Sequence, residues 1–387
     1  MKKKFVFLGL IVISCLFAII LPFLQRSIAT NDINSLITNS DNSQIEQIAR
    51  RYNLQELPKK DARFLVISDL NGAYGSTEYD EEVKLAVKML PFWQPDLVLC
   101  SGDMVAGQKR SLTIEQIKAM WQSFDVNIAK PIRDLNIPYG FTIGNHDASS
   151  ALTSDKTKYI FQQERDLAIE YWQDPDHDPQ INFIDGQDFP FYYTFKQNDI
   201  FFLVWDGSSS YIPPEKLAWV EKSLNSPEAQ NAKMKMVMGH LPLYAVSKGR
   251  DRVGEVLNNA NQLRQLLEKY NVQTYISGHH HAYYPANKGE LQLLNIGALG
   301  GGARALLGAS TPKMKTITII DVDFDDPELT QYTTYNTKDL TIVNQKILPR
   351  LIIGHNGMLL RQDVELGDLT PNEKRACLDK YKEKSAC

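Results

Sequence analysis

Short apolar segments with the composition of β-strands constrain the fold of this chain more than any other feature of its sequence. Eight such runs, each four to nine residues long, are RFLVIS, DLVLCS, YGFTI, DIFFLVW, MKMVM, VQTYIS, LQLLNI and MKTITIIDV. Stretches with helical periodicity lie between several of them, namely EEVKLAVKML, IEQIKAMWQSF, KYIFQQERDLAIEYW, PEKLAWVEKSL and NQLRQLLEKY. Strands that alternate with helices predict an α/β domain, which we place at residues 61–325.

Polar segments follow five of these runs directly. They read SDLNG, SGDMVAG, IGNHDAS, GHLPLY and GHHHAYY, and they contain five of the seven histidines of the chain. A single Asp or Gly-His at a strand end usually caps a turn. Five such tips from segments far apart in sequence are harder to explain as independent caps. Because ligands of open α/β sheets bind beyond the carboxyl ends of the strands, we expect the tips to form one site.

The side chains of these tips predict a metal centre. Carboxylates, a carboxamide and imidazoles together are ligands for divalent ions such as Zn, Mn or Fe. The candidate ligands are Asp69, Asn71, Asp103, Asn145, His240, His279 and His281. This set exceeds the needs of one ion, whereas two ions about 3.5–4 Å apart, bridged by a carboxylate, accommodate it. If residues 279–281 stay extended, His279 and His281 share a face, and His280 is a bystander or lies behind the ligands.

The order of these motifs resembles that of the calcineurin-like metallophosphoesterases. The matching segments are SDLN at 68–71, GD at 102–103, GNHD at 144–147, GH at 239–240 and GHHH at 278–281. The resemblance covers roughly residues 61–300. It implies an αββα sandwich of four layers, in which two packed mixed β-sheets are flanked by helices. It also implies a centre of two divalent ions, drawn from Mn, Fe, Zn and Mg.

The resemblance further implies a role for each matching residue. Asp103 would bridge the two ions. One ion would be held by Asp69, Asn71 and His281, and the other by Asn145, His240 and His279. His146 would bind the substrate phosphate and protonate the leaving group, and Asp147 would orient His146.

One position departs from the family pattern. Asn71 stands where the family most often has His, so we expect a weaker first site with a shift toward Mn or Mg, because a carboxamide oxygen is a harder ligand than imidazole. The alternative is that Asn71 only caps the turn with Gly72. Ala106 stands where the purple acid phosphatase type has Tyr, which argues against an iron–tyrosinate site.

The resemblance implies a hydrolase of phosphoric esters that uses a hydroxide bridging two divalent ions. A catalytically weak protein of the cell envelope that binds metal or a phosphoryl ligand is the alternative. The substrate class stays open among phosphomonoesters, phosphodiesters, nucleotides and lipid head groups. The segment GALGGGAR at 297–304 lacks the Lys-Ser/Thr ending of a nucleotide-binding loop and is interpreted as a flexible rim loop. Its Arg304 either contacts an anion or has a solvated or structural role.

The ends of the chain carry separate predictions. MKKK followed by twenty uncharged residues at 5–24 predicts that residues 1–29 are a secretory signal peptide or an uncleaved membrane anchor, with the body exported. Residues 30–60 are interpreted as a tether or cap, and residues 326–387 as a C-terminal extension that contains strands. Cys377 and Cys387 either pair or remain free thiols. With a net charge of −4, no specific nucleic-acid partner is expected, and the sequence makes no prediction of oligomeric state.

Overall fold

A computed structural model describes residues 43–326 and 329–382. The chain divides into two units between Glu56 and Leu57, and in the first unit residues 43–51 form a helix, α1. The predicted signal peptide or anchor at 1–29 lies outside the described residues. Among the helices that are described, none is both long and apolar enough to cross a membrane.

Fifteen strands lie in the described part of the second unit. They are β1 (Ala62–Ile67), β2 (Leu97–Cys100), β3 (Tyr139–Phe141), β4 (Asn182–Asp188), β5 (Tyr192–Gln197), β6 (Ile200–Val204), β7 (Met234–Met238), β8 (Thr274–Ser277), β9 (Tyr284–Lys288), β10 (Leu291–Asn295), β11 (Thr316–Val322), β12 (Thr330–Asn336), β13 (Thr341–Ile342), β14 (Leu351–Ile353) and β15 (Met358–Arg361). Each of the eight predicted runs coincides with or overlaps one of these strands.

The helices of this unit are α2 (Glu81–Lys88), α3 (Leu90–Trp93), α4 (Ile114–Phe124), α5 (Lys130–Asp134), α6 (Asn145–Ala148), α7 (Gln162–Gln173), α8 (Pro214–Leu224), α9 (Pro227–Gln230), α10 (Ala260–Lys269) and α11 (Pro371–Tyr381). A π-helical turn joins α4 to α5 at Asp125–Ala129. The helix α4 shows why these segments fold as they do. Thr113 and Gln116 form a capping box at its start, and Ile117, Met120, Trp121 and Phe124 bury one face.

Two mixed sheets form the centre of the unit. Sheet I has the order β13-β12-β11-β1-β2-β3, and sheet II has the order β14-β15-β9-β10-β8-β7-β6-β5-β4. Strands β1, β2 and β3 are parallel, as are β6, β7, β8 and β10. The sheets share one core, where the fully buried rings of Phe64 and Phe202 lie 5.6 Å apart. Helix α8 contacts β6 and α10 contacts β10. The predicted fold of two packed sheets flanked by helices is therefore confirmed.

The C-terminal segment adds strands to both sheets. Strand β12 pairs antiparallel with β11, β13 pairs with β12 at the edge of sheet I, and the hairpin β14–β15 joins sheet II through β9. Cys377 on α11 is buried and disulfide-bonded. Its predicted partner, Cys387, lies outside the described residues, so that particular pairing stays a prediction.

Candidate metal centre

The tips of five strands meet where the two sheets approach each other. Strands β1, β2, β3, β7 and β8 lead into Asp69, Asp103, Asn145, His240 and His279. The approach is close enough to require glycine, since a Cβ on Gly278 would lie 2.0 Å from Ser68 Oγ and 2.8 Å from Asp69 Oδ2. The parallel strands of both sheets thus deliver their polar tips to one place, as the sequence predicts.

Asp103 lies at the centre of this cluster. Its Oδ2 is 3.3 Å from Nε2 of His240 and 3.9 Å from Nε2 of His146. Ligand atoms of Asp69, Asp103 and His240 all lie within 4.8 Å of one another, and all three residues are buried. Burial opposes ionisation of Asp103, but the nearby His240 and His146 outweigh it, so the pKa of Asp103 lies below its ordinary value. A buried anionic centre of this kind attracts cations.

His240 faces three acceptor atoms. Its Nδ1 donates to the carbonyl oxygen of Ser101 at 2.7 Å, so in the neutral ring Nε2 carries a lone pair. That lone pair points at Asp103 and at Oδ1 of Asn145, which is 3.0 Å away. When no metal is bound, a proton on Nε2 can lie between the ring and the oxygens of Asp103 and Asn145. Burial lowers the pKa of His240, yet Asp103 outweighs burial and raises it to about 9. A divalent cation would satisfy the same acceptors without that proton.

The amide of Asn145 has a defined orientation. Its Nδ2 donates to Oε1 of Gln108 at 2.7 Å, which leaves Oδ1 facing His240. Gln108 was not predicted as a site residue, because it belongs to no motif and follows the GD segment by five positions. It can present the oxygen of Asn145 to a metal.

His281 and Asp69 form the second part of the cluster. Nε2 of His281 lies 3.2 Å from Oδ1 of Asp69, and Nδ1 donates to the carbonyl oxygen of Gly302 at 3.1 Å. The Nε2 atom is buried and has no hydrogen-bond partner among the residues that the structure describes. Burial opposes ionisation of Asp69, but His281 lowers the pKa of that carboxyl on balance. A lone pair and a carboxylate that face each other fit a cation between them.

His279 has the opposite ring orientation. Its Nε2 lies 2.9 Å from Oε2 of Glu255, and Nη1 of Arg250 lies 2.5 Å from the same oxygen. Nη1 of Arg250 also lies 2.9 Å from Nε2 of His279. In the tautomer that donates from Nε2 to Glu255, Nδ1 of His279 keeps its lone pair, and within the described residues that buried atom has no hydrogen-bond partner. Burial lowers the pKa of His279 to about 3, so the ring is neutral, as a metal ligand must be.

The residues present therefore fit divalent metals. On His240 and His281, one ring nitrogen donates to a main-chain carbonyl and the other faces a carboxylate of the cluster. On His279, one ring nitrogen contacts Glu255 and the other is buried. This is the arrangement in which carboxylates or carbonyls set the tautomer of metal-binding histidines. Glu255 and Arg250 lie in the segment between β7 and α10 and match no motif, so the sequence offered no sign of them.

The expectation that residues 279–281 stay extended is wrong. Strand β8 ends at Ser277, and both histidines have left-handed backbone conformations, with φ of +61° and +51°. The alternation of an extended strand therefore does not apply, and a tight turn brings both rings to the cluster. His280 lies behind the ligands, where its Nδ1 accepts from the Val246 N–H and its Nε2 donates to the Glu255 carbonyl.

Asp147 differs from its expected role. Its Oδ2 accepts from the N–H groups of Asp103 and Gly144 at 2.9 and 2.8 Å, and its Oδ1 accepts from Val105 at 2.9 Å. Because these main-chain donors take up both oxygens, Asp147 shapes the loop that presents Asp103. His146 is oriented instead by the carbonyl of Gly107, to which its Nδ1 donates at 3.2 Å.

Asn71 lies beside the cluster. Its side chain is nearly buried, its N–H donates to the carbonyl of Asp103 at 3.2 Å, and its own carbonyl accepts from Gly301 at 3.2 Å. Whether its amide oxygen binds a metal stays a prediction.

A cavity of about 470 Å³ opens above the cluster. Asn145, His146 and His279 reach it from the cluster, and Tyr74, whose ring centroid is 5.1 Å from that of His146, forms part of its wall. Three arginines, Arg250, Arg252 and Arg304, also line the cavity. Its volume lies in the range of small-molecule sites.

The chain belongs to the calcineurin-like phosphoesterase family, whose model matches residues 62–283. No curated protein sequence matches it significantly. Among solved structures, purple acid phosphatase PPD1 from yellow lupin (Lupinus luteus) is 16% identical, with 74% of this chain and 54% of that chain covered and a TM-score of 0.52. A dimetal phosphatase from Danio rerio is 11% identical, with coverages of 68% and 93% and a TM-score of 0.44.

This chain spans about half (54%) of the lupin protein. At these identities the likeness to solved structures concerns the fold.

Proposed function

We propose that this protein hydrolyses phosphoric esters with the help of two divalent cations, and that it does so outside the cytoplasm. The observation that carries the proposal is the buried convergence of Asp69, Asp103 and His240, whose ligand atoms lie within 4.8 Å of one another. Membership of the calcineurin-like phosphoesterase family supports the class of reaction.

The proposed ligands fall into two sets that share Asp103. Asp69, Asn71 and His281 would hold one cation, and Asn145, His240 and His279 the other. Two contacts support this division: Nε2 of His281 lies 3.2 Å from Asp69, and the ring of His279 lies 5.1 Å from that of His240. Mn, Fe, Zn and Mg are all compatible with such mixed ligands.

Cations held by these residues would supply positive charge to neutralise the phosphoryl oxygens and would lower the pKa of a water molecule, the nucleophile of an in-line displacement. His146 would serve the leaving group. Its Nδ1 donates to Gly107, so Nε2 is the atom that can hold a proton near the cavity. General acid catalysis by a positioned imidazole then assists departure of the ester oxygen.

Location outside the cytoplasm rests on two features. The basic start and apolar run at 1–29 have the pattern of an export signal or membrane anchor. The disulfide at Cys377 supports an oxidising compartment.

The test is turnover of an aryl phosphate by Asp103→Asn, with Mn, Mg, Zn and Fe supplied in turn. We expect activity to be lost and the circular dichroism spectrum to be kept. Asp199→Asn is a matched control, because Asp199 is exposed and, like Asp103, has a left-handed backbone that Asn tolerates. Near-normal turnover by Asp103→Asn would refute the proposal.

Wild-type protein that retains metal but hydrolyses neither mono- nor diesters under any of these cations would instead support the binding-protein alternative. Parallel rates for paired mono- and diester substrates would define the substrate class.

A further inference from the structure

Arg304 occupies a fixed place at the cavity. It ends the segment 297–304, which was interpreted as a flexible loop, but backbone hydrogen bonds tie this segment to the metal motifs. The N–H groups of Leu299 and Gly300 donate to the carbonyls of Ser68 and Asp69, at 3.0 and 2.8 Å. The N–H of Arg304 donates to the carbonyl of His281 at 2.9 Å. The backbone position of Arg304 is therefore coupled to that of the cluster.

The guanidinium of Arg304 lacks a protein counter-ion. Across residues 43–326 and 329–382, it has no carboxylate within salt-bridge distance, and its buried Nε has no hydrogen-bond partner. Its Nη1 would lie only 3.1 Å from a Cβ on Gly249, the residue before Arg250. Burial and the charge of Arg250 both lower the pKa of Arg304. A partly buried guanidinium without a carboxylate beside it can accept an anion as its partner.

The neighbouring arginines add positive charge that the protein only partly neutralises. Arg250 and Arg252 both pair with Glu255, at 2.5 and 2.7 Å. Three guanidinium groups and a single carboxylate thus share this wall of the cavity. The wall carries a net positive charge that suits a phosphoryl group, which arginine binds through two parallel hydrogen bonds.

This wall differs from the place expected for the hydrolysed group. The reacting phosphoryl group belongs near Asp103 and His146. Arg250 instead contacts Nε2 of His279, the ring nitrogen that faces Glu255, and Nη1 of Arg304 lies beside Gly249, the residue before Arg250. A cavity of about 470 Å³ is large enough for a small-molecule ligand rather than one phosphoryl group alone.

We propose that Arg304 binds a phosphoryl group of the substrate other than the one that is hydrolysed. The substrate class is then a phosphoric ester that carries a second phosphoryl group, as diphosphate esters and bisphosphates do. The inference rests on the proposed function, because it assumes that the cluster engages the reacting phosphoryl group.

The experiment measures binding rather than turnover. Wild-type and Arg304→Gln proteins are titrated calorimetrically with methylenediphosphonate and, separately, with inorganic phosphate, with Mn²⁺ kept in excess of the ligand. We expect Arg304→Gln to weaken methylenediphosphonate binding by roughly 10- to 100-fold, the value of a hydrogen bond to a charged group. Phosphate binding should change by less than about threefold, within the scatter of a surface substitution.

Two further variants sharpen the result. Arg304→Lys keeps the charge but not the planar fork, and it should recover only part of the lost affinity. Arg375→Gln removes the same charge at an exposed position of α11 and should leave both affinities unchanged. An equal loss of affinity for both ligands would place Arg304 at the hydrolysed phosphoryl group. Unchanged affinity for both ligands would mean that Arg304 has a structural role. Both outcomes would overturn the proposal.

Failure of the proposed function has a different signature. A wild-type protein that binds methylenediphosphonate through Arg304, yet hydrolyses no ester, would contradict catalysis while leaving the binding site for a second phosphoryl group intact.

Discussion

Replacing Glu255 by Gln should weaken one metal site and spare the other. Oε2 of Glu255 accepts from Nε2 of His279 at 2.9 Å, and this contact keeps the lone pair of His279 on Nδ1. The side chain of Glu255 is largely shielded from solvent. Gln has one acceptor oxygen for His279, Arg250 and Arg252 to share and no negative charge, so the tautomer of His279 is no longer enforced.

The expected loss follows from that single contact. Removing the partner behind a metal-binding histidine typically lowers metal affinity 10- to 100-fold, or by about 1.4–2.8 kcal/mol. Only the cation held by His279 should be affected, because His281 takes its orientation from the carbonyl of Gly302 instead. The variant should therefore fill one site normally and the other at higher metal concentration.

The assay is titration of metal-depleted protein with Mn²⁺, with free Mn²⁺ followed by electron paramagnetic resonance. Glu268→Gln is the matched control, because Glu268 also pairs with an arginine, Arg264, but outside the cluster. If Glu255→Gln bound Mn²⁺ at both sites with wild-type affinity, the reasoning would be refuted. Equal weakening of both sites would also refute it, since that result indicates a general distortion.

Three other perturbations have defined outcomes. Gly144→Ala should lower metal content and destabilise the fold by about 1–3 kcal/mol in urea unfolding, since its Cβ would lie 2.2 Å from Asp103 N and Oδ1. Burial raises the pKa of Glu164 to about 7, so the free energy of unfolding should fall as pH rises from about 4.3 to 7. Glu164→Gln should remove that pH dependence. The free energy of unfolding is measured at pH 5 and 8 with metal chelated, and a difference between the variant and wild type that is the same at both pH values would contradict the expectation. Asp321→Ala should cost about 3–5 kcal/mol, because it leaves buried Arg63 without its partner at 2.6 Å; a urea midpoint like that of wild type would contradict this.

Much of the fold could be predicted because its information is local. Continuous apolar runs such as those of β1 and β7 mark strands covered on both faces, and their lengths distinguish them from helices. Helices α4 and α8 carry helical periodicity and begin as predicted. Strand β4 was not predicted, because its largely exposed residues lack a strand pattern and pairing with β5 creates it.

The sequence by itself determined which side chains stand at the strand tips, and parallel strands bring those tips to one edge. It therefore identified the cluster around Asp103. Only the tertiary structure decided which atoms surround that cluster. Three of these residues, Glu255, Gln108 and Arg304, come from loops without a motif. Asp147 accepts hydrogen bonds from main-chain N–H groups of neighbouring loops rather than from His146. The physical reason is that a strand tip follows from local hydrophobic pattern, whereas the partner of a buried polar atom is chosen by whichever distant segment the packed sheets bring within hydrogen-bond reach.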